Sequence, residues 1–290
     1  MSESSTSGTL VSVEQLRTRL DDPGWCVIDV RHDLMNVAAG RLAYDAGHVP
    51  GAVFAHIDDD LSGQKTGRNG RHPLPRRADL VQAFRRWGID DDTQIVAYDA
   101  QGGNFAVRLW WLARWLGHAR VAVLDGGWPL WLTKTGLSST EHPVRRAGHF
   151  SERPALMPLI EVDEVVRNLA TRERLVLDAR TPERFRGEQE PIDPVAGHIP
   201  GARNRPWQRN LNPDQTFKST AVLREEFEAM LGSSAPARVA HQCGSGVTAC
   251  HNLLAMELAG LHGSALYAGS WSEWIADAAR PVAVGEEKTD

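Results

Sequence analysis

The chain has 290 residues and a formal net charge of −5, with 42% hydrophobic and 24% charged residues. These values are typical of soluble globular proteins, and the length suits one large or two ordinary domains. No lysine- and arginine-rich block occurs, so nucleic acid is not expected as a partner. No apolar run approaches the ~18 residues of a membrane span, and the Ser/Thr-rich start lacks the apolar core of a signal peptide. We therefore expect a cytoplasmic protein without membrane contact.

Strand and helix patterns alternate along the whole chain. The first half predicts a helix at 13–20, a strand at 27–30, a helix at 80–87 and a strand at 121–124 that precedes a tryptophan-bearing helix. The second half predicts the same order, with a helix at 161–169, a strand at 175–178, a helix at 221–231 and a strand at 265–267. Such alternation predicts an α/β fold, in which a parallel sheet carries helices on both faces.

Three motifs occur twice, which indicates an internal duplication. Asp29-Val30-Arg31 recurs 149 residues later as Asp178-Ala179-Arg180. Gly-His-Val-Pro-Gly-Ala from Gly47 recurs 150 residues later as Gly-His-Ile-Pro-Gly-Ala from Gly197. Gly126-Gly127-Trp128 recurs 143 residues later as Gly269-Ser270-Trp271. We predict two tandem domains, at 10–140 and 159–285, joined by a linker at 141–158 that is rich in Pro, Arg and Gly. Because both domains carry the histidine of the shared turn, we interpret His48 and His198 as structural.

The stretch His241–Cys250 reads as a strand, a glycine turn and the start of a helix, with Cys243 at the end of the strand. In open α/β sheets, ligands bind at that edge. Gly244 and Gly246 are expected to adopt positive φ, so that successive N–H groups face one concavity. Together with the helix N-terminus, these groups would favour the thiolate of Cys243 and any anion carried on its sulfur.

The other cysteines and the first domain do not repeat this feature. Cys26, Cys243 and Cys250 are an odd and sparse set, which favours a reducing compartment over a disulfide framework, and their spacing matches no common zinc site. We expect no metal and no cofactor. Alignment of the halves at a spacing of 143 places Ala100 opposite Cys243. The N-terminal domain is therefore expected to be catalytically silent on its own.

A duplicated domain with one loop cysteine in the second half resembles the two-domain rhodanese sulfurtransferases. The loop Cys-Gly-Ser-Gly-Val-Thr looks like that of 3-mercaptopyruvate sulfurtransferases, whereas thiosulfate-specific members more often have basic residues at the places of Gly244 and Ser245. The resemblance implies that Cys243 takes sulfur from a small anionic donor as a persulfide. The persulfide then passes its sulfur to a thiol, thioredoxin or cyanide. Thiosulfate is the alternative donor.

The resemblance also assigns site residues. Arg184 matches the arginine that holds the anionic donor, and Gly244, Gly246, Val247 and Thr248 belong to the binding loop. Ser245, His72 and Asp58 match a Ser-His-Asp arrangement in which His72, from across the domain interface, relays a proton to the leaving enolate. Family members often carry a second donor-binding arginine after Glu-Pro, but here Ile192 follows Glu190-Pro191. The donor preference therefore stays open.

Two other classes compete with this interpretation. A cysteine phosphatase needs an arginine at the sixth or seventh residue after the cysteine, where this chain has Ala249 and Cys250. A non-catalytic binding module would not need the cysteine or the glycine turn. The residues favour the sulfurtransferase over both.

Overall fold

The computed structural model describes residues 9–286, which fold into two compact units. Unit 1 takes in the chain up to Ser62 together with residues 75–156 and 213–217, and unit 2 takes in residues 63–74, 157–212 and the chain from Lys218 onward. The segment 63–74 thus belongs to unit 2, although the sequence analysis counted it in the N-terminal domain. The predicted linker region 141–158 lies mostly at the end of the stretch assigned to unit 1.

Unit 1 contains a five-stranded parallel sheet with the order β1-β5-β4-β2-β3. Its strands are β1 (Leu10–Val11), β2 (Trp25–Asp29), β3 (Val53–Phe54), β4 (Gln94–Tyr98) and β5 (Val121–Leu124). Its helices are α1 (Val13–Arg17), α2 (Ala39–Ala46), α3 (Arg77–Arg86), α4 (Ala106–Trp115) and α5 (Gly127–Thr135).

Unit 2 contains a second parallel sheet with the equivalent order β6-β10-β9-β7-β8. Its strands are β6 (Leu159–Ile160), β7 (Leu175–Asp178), β8 (Arg203–Asn204), β9 (Val239–Gln242) and β10 (Ala265–Tyr267). Its helices are α6 (Val162–Thr171), α7 (Pro182–Arg186), α8 (Thr220–Leu231), α9 (Ala249–Leu258) and α10 (Ser270–Trp274), with 3₁₀ turns at Trp207–Asn210 and Pro236–Arg238. The predicted α/β architecture is confirmed in both units.

Local sequence explains where the elements begin and what they bury. Ser12 caps α1 and forms a capping box with Gln15, which satisfies two N–H groups of the first turn. The central strands β4 and β9 are buried along their whole length, as expected for strands covered on both faces of a parallel sheet. Large aromatic side chains complete the cores, and the fully buried ones include Trp110, Trp111, Trp131, Trp271 and Trp274. Among residues 9–286, no helix has the length and apolar character needed to cross a bilayer.

The two histidines of the repeated turn hold equivalent structural positions. His48 stacks on Tyr44 with ring centroids 3.9 Å apart, and its backbone forms an antiparallel bridge with Ser139. His198 stacks on Phe185 at 3.8 Å and bridges to Ala283 in the same way. In each unit the backbone of this buried histidine therefore joins the turn to the segment that follows the last helix, which agrees with a structural role.

Candidate active site

Cys243 directly follows β9, between the carboxyl ends of β7 and β10. Its N–H donates to Ser270 Oγ at 3.1 Å, and its carbonyl accepts the N–H of Trp271 at 3.0 Å. The next carbonyl, of Gly244, accepts the N–H of Ser272 at 2.9 Å. The backbone on both sides of the cysteine is therefore fixed to the start of α10, and the side chain is 1% exposed. This is the sheet edge at which open α/β folds bind their ligands.

The two glycines of the loop serve different purposes. Gly246 has φ +75°, and a Cβ there would lie 2.1 Å from the carbonyl oxygen of Ala268, so only glycine fits. Gly244 does not lie in the left-handed region, so the expectation of a positive φ at that residue was wrong. A Cβ on Gly244 would instead lie 2.9 Å from Arg71 Nη2 and 3.5 Å from Arg184 Nη2. Two guanidinium groups therefore lie close to the backbone of Gly244.

The loop also presents unpaired backbone donors. Within the part of the chain that the structure describes, the N–H groups of Gly244, Ser245, Val247, Thr248 and Ala249 donate to no protein acceptor. The last of these begins α9, a helix of ten residues. Buried N–H groups are nearly always paired, so a cluster of free donors at a helix N-terminus is suited to an anion.

Two arginines converge on this loop and share one carboxylate. Arg184 lies on α7 and donates Nε and Nη2 to Glu190 at 3.0 and 2.8 Å, while Nη2 also reaches Asp193 at 3.0 Å. Arg71 pairs through Nη1 with the other oxygen of Asp193. Among the described residues, Arg184 Nη1 and Arg71 Nη2 have no protein acceptor, and both lie beside Gly244. The site thus keeps two guanidinium nitrogens available next to Cys243.

The sequence analysis missed Arg71. The only signal was its place directly before His72, and nothing local distinguishes it from the chain's other arginines. Arg71 lies close to residue 192, where the resemblance leads one to expect a second arginine. The N–H of Ile192 donates to Glu190 Oε1 at 3.1 Å, and Arg71 reaches the next residue, Asp193.

Carboxylates hold the arginines in place and set the local electrostatics. Burial raises the pKa of Asp193, with Arg71 and Arg184 acting in the opposite direction. Burial acts in the same way on Glu190, but the hydrogen bonds from Arg184 and from backbone N–H groups outweigh it, and the Glu190 pKa lies below its ordinary value. A third arginine, Arg180, is buried against Asp178 at 2.7 Å and lies over the ring of Trp271 at 4.7 Å.

Ser245 and His72 form a buried pair. His72 Nδ1 lies 2.7 Å from Ser245 Oγ, and the two residues are 4% and 5% exposed, respectively. The segment that carries His72 is held within unit 2, where the N–H of Arg71 donates to Ser272 Oγ at 3.0 Å. The structure therefore brings together the predicted residues Cys243, Ser245, His72 and Arg184 in one unit.

Asp58 belongs to unit 1, where it lies near His32 and His56. Potential ligand atoms of these three residues lie within 4.8 Å of one another. His56 Nδ1 accepts the N–H of Asp58 at 3.2 Å, and His56 Nε2 lies 3.2 Å from the carbonyl oxygen of Val37. Since both ring nitrogens are engaged, this trio gives no reason to assign a metal. The predicted partnership of Asp58 with His72 stays a prediction.

A model of the rhodanese-like domain matches residues 12–134 and 161–277. The chain belongs to the rhodanese family. A relative from Pseudomonas aeruginosa named "Probable 3-mercaptopyruvate sulfurtransferase" is 44% identical over 97% of this chain and 100% of its own length. The thiosulfate sulfurtransferase of Bos taurus is 34% identical over 90% of this chain and 89% of its own. Both relatives thus align with nearly the whole of this chain.

Solved structures of the family agree with the fold. SseA from Escherichia coli, a 3-mercaptopyruvate sulfotransferase, superimposes with a TM-score of 0.78 at 30% identity, covering 90% of this chain and 98% of SseA. The 3-mercaptopyruvate sulfurtransferase from Leishmania major gives a TM-score of 0.82 at 27% identity, covering 94% of this chain and 75% of that one. The predicted rhodanese resemblance is confirmed, and the chain is an enzyme of the sulfurtransferase class.

Proposed function

We propose that this enzyme transfers the sulfur of 3-mercaptopyruvate to a thiol, thioredoxin or cyanide, and that this sulfur is carried as the sulfane sulfur of a persulfide on Cys243. The observation that carries the proposal is the arrangement around Gly244. There, Arg71 Nη2 and Arg184 Nη1 lie without protein acceptors beside a loop of unpaired N–H donors. The guanidinium nitrogens suit the carboxylate of the substrate, and the N–H groups of the loop suit negative charge on sulfur.

In the first half-reaction, the Cys243 thiolate attacks the donor sulfur. The new S–S bond forms as the C–S bond of mercaptopyruvate breaks, and its electron pair leaves on the carbon as the enolate of pyruvate. The enolate takes a proton, and the buried Ser245–His72 pair is placed to supply it. The persulfide loses its S–H proton and remains as an anion.

In the second half-reaction, the acceptor attacks the outer sulfur of the persulfide. The S–S bond breaks, and its electron pair returns to Cys243 as the thiolate. Because the attacking thiolate and the persulfide both carry negative charge on sulfur, the same N–H groups of the loop serve both steps. No metal or redox cofactor is required, since the electrons balance within the donor, Cys243 and the acceptor.

Thiosulfate is the second candidate donor, because its sulfonate would also suit two guanidinium groups. The Ser245–His72 pair distinguishes the two reactions. Sulfite leaves from thiosulfate as a stable anion, whereas the enolate from mercaptopyruvate needs a proton. The presence of this buried pair therefore favours mercaptopyruvate.

The first test is sulfur loading. Treatment with mercaptopyruvate alone should add one sulfur of about 32 Da per chain, placed on Cys243 by peptide mass spectrometry. Cys243→Ser should take none. Wild-type protein that gains no adduct under conditions in which mercaptopyruvate is stable would contradict the proposal.

The second test separates the donors. Ser245→Ala should lower kcat with mercaptopyruvate about a hundredfold, the usual contribution of general acid–base catalysis, and leave kcat with thiosulfate nearly unchanged. Arg184→Ala should instead raise KM for both donors. Ser233→Ala, an exposed serine of the same unit, is the matched control. An equal loss of kcat with both donors would argue against proton delivery by Ser245.

A cytoplasmic location stays a prediction. It rests on the sequence composition and on the sparse cysteines, which suit a reducing compartment.

A further inference from the structure

The backbone hydrogen bonds show which residue of unit 1 stands in the place of Cys243. In unit 1, the N–H of Trp128 donates to the carbonyl of Asp99 at 2.8 Å, just as the N–H of Trp271 donates to Cys243 in unit 2. The strand register agrees, because Asp29 pairs with Tyr98 and the repeated Asp178 pairs with Gln242. The residue that follows is Asp99 in unit 1 and Cys243 in unit 2. The sequence alignment, which placed Ala100 opposite Cys243, was wrong by one residue.

The side chain of Asp99 occupies the centre of its own loop. Oδ1 accepts the N–H groups of Gln101 and Gly103 at 2.8 and 3.0 Å. Oδ2 accepts those of Phe105 and Ala106 at 2.7 and 2.9 Å. Four backbone donors thus surround one carboxylate that is 1% exposed. Burial raises the pKa of Asp99, and the four donors act in the opposite direction.

The equivalent donors of unit 2 lack that acceptor. The residues of unit 2 that correspond to Gln101, Gly103 and Phe105 are Ser245, Val247 and Ala249. In the described part of the chain, the N–H groups of these three residues donate to no protein acceptor. The fourth N–H, that of Cys250, donates instead to the carbonyl of Val247 at 3.1 Å. Four N–H groups of the loop are therefore paired with one carboxylate in unit 1, whereas three of the equivalent groups have no such acceptor in unit 2.

We propose that the loop of unit 1 is a latent sulfur-accepting site, which the carboxylate of Asp99 occupies. The two oxygens of this carboxylate lie at the position equivalent to that of the Cys243 persulfide in unit 2. This deepens the proposed function, since the N–H groups that hold a built-in carboxylate are those that would hold an anion on sulfur. The loop of unit 1 also faces free space. A cavity of about 180 Å³ is lined by Arg31, His32, Asp99 and Gln101 among others, so a small sulfur donor has room to approach.

The first test introduces the carboxylate into the open loop. Cys243→Asp should place two oxygens among the unpaired donors and raise Tm by at least about 4 °C relative to Cys243→Asn, which has the same shape without the charge. The matched change in unit 1, Asp99→Asn, should lower Tm in turn. A Cys243→Asp protein no more stable than Cys243→Asn would overturn the correspondence between the two loops.

The second test removes the carboxylate from unit 1. In Asp99→Cys/Cys243→Ser, the new thiolate attacks the terminal sulfur of inorganic polysulfide. A new S–S bond forms, the terminal S–S bond of the polysulfide breaks, and the shortened polysulfide leaves with that electron pair. The products carry the same total charge as the reactants, so no oxidant is needed. One adduct of about 32 Da should appear at residue 99, because the loop donors favour the thiolate. Cys243→Ser alone, with Asp99 intact, should show no rapid adduct, because its remaining thiols, Cys26 and Cys250, are buried.

Cys26 provides an internal control for this reaction, because it is a fully buried thiol within β2 of the same unit. The new cysteine should react at least about tenfold faster than Cys26, as expected if its thiolate fraction is raised. Equal rates at the two positions would overturn the latent site. The proposed function would survive that result, since it depends on loading at Cys243 in the wild-type protein.

Discussion

At the scale of single residues, the strand that leads to the nucleophile contains polar side chains without partners. His241 is fully buried in β9, two residues before Cys243, and neither of its ring nitrogens has a hydrogen-bond partner in the structure. Burial, aided by the nearby positive charge of Arg205, lowers the pKa of His241 to about 3. The imidazole therefore stays neutral in the folded protein throughout the physiological range.

This depressed pKa predicts an acid-sensitive stability. An unfolded histidine has a pKa of about 6.5, so the unfolded chain gains a proton below that pH while folded His241 does not until about pH 3. Relative to His241→Leu, the wild type should lose about 1.4 kcal/mol of unfolding free energy per pH unit between pH 6 and pH 4. Urea unfolding at several pH values measures the difference. Parallel pH curves for the two proteins would show that His241 is protonated when folded.

Prediction from the sequence succeeded for residues that stand in a recognisable motif. It failed where only the backbone register identifies the equivalent residue of the other unit. Cys243, Ser245 and Arg184 stand in recognisable motifs, and the structure brings them together in one unit. The equivalence of Asp99 and Cys243 depends on a one-residue difference in the length of chain between the loop and the repeated Gly-x-Trp turn. No side-chain pattern reports such a difference, and only the hydrogen bonds to Trp128 and Trp271 fix it.

At the scale of elements, the catalytic turn depends on a glycine that cannot be replaced. Gly246→Ala would combine a left-handed backbone with a Cβ placed 2.1 Å from the carbonyl oxygen of Ala268, so we expect a loss of roughly 3 kcal/mol or more in unfolding free energy. Gly136 has a similar φ of +64° but open space around its Cβ position. Gly136→Ala should therefore cost only about 1 kcal/mol, the price of the backbone strain alone.

Urea denaturation of the two variants measures this difference, and alkylation of Cys243 by iodoacetamide reports on the loop itself. We expect slower alkylation in Gly246→Ala, because displaced N–H groups stabilise the thiolate less well. Equal costs for both glycine substitutions would mean that the contact with Ala268 does not constrain the turn.

Element-level prediction was accurate for long or strongly apolar segments. The strands at 121–124, 175–178 and 265–267 have the predicted bounds. The two-residue edge strands β1 and β6 and the five-residue helix α7 were missed, because segments this short contain no full period of apolar and polar positions. The position of Arg184 on α7 therefore had to come from the family resemblance and not from periodicity.

At the scale of the whole molecule, the duplication was visible in the sequence, but the assignment of chain segments to the two units was not. The repeated motifs predicted one domain in each half. The structure assigns residues 63–74 to unit 2, and this segment supplies both Arg71 and His72. The segment forms no helix or strand, so no periodic pattern could have indicated with which half it packs.

Because residues 63–74 belong to unit 2, we predict that this segment completes the active site. Replacement of residues 64–73 by a Gly/Ser linker of equal length removes one guanidinium beside Gly244 and the partner of Ser245. We expect sulfur loading of Cys243 from mercaptopyruvate to slow at least about a hundredfold, as in Arg71→Ala/His72→Ala, since positioning and proton transfer are both lost. Gln64→Ala/Arg68→Ala, two exposed residues of the same segment, should load at the wild-type rate. Rapid loading in the linker protein would show that unit 2 is catalytically complete without residues 64–73.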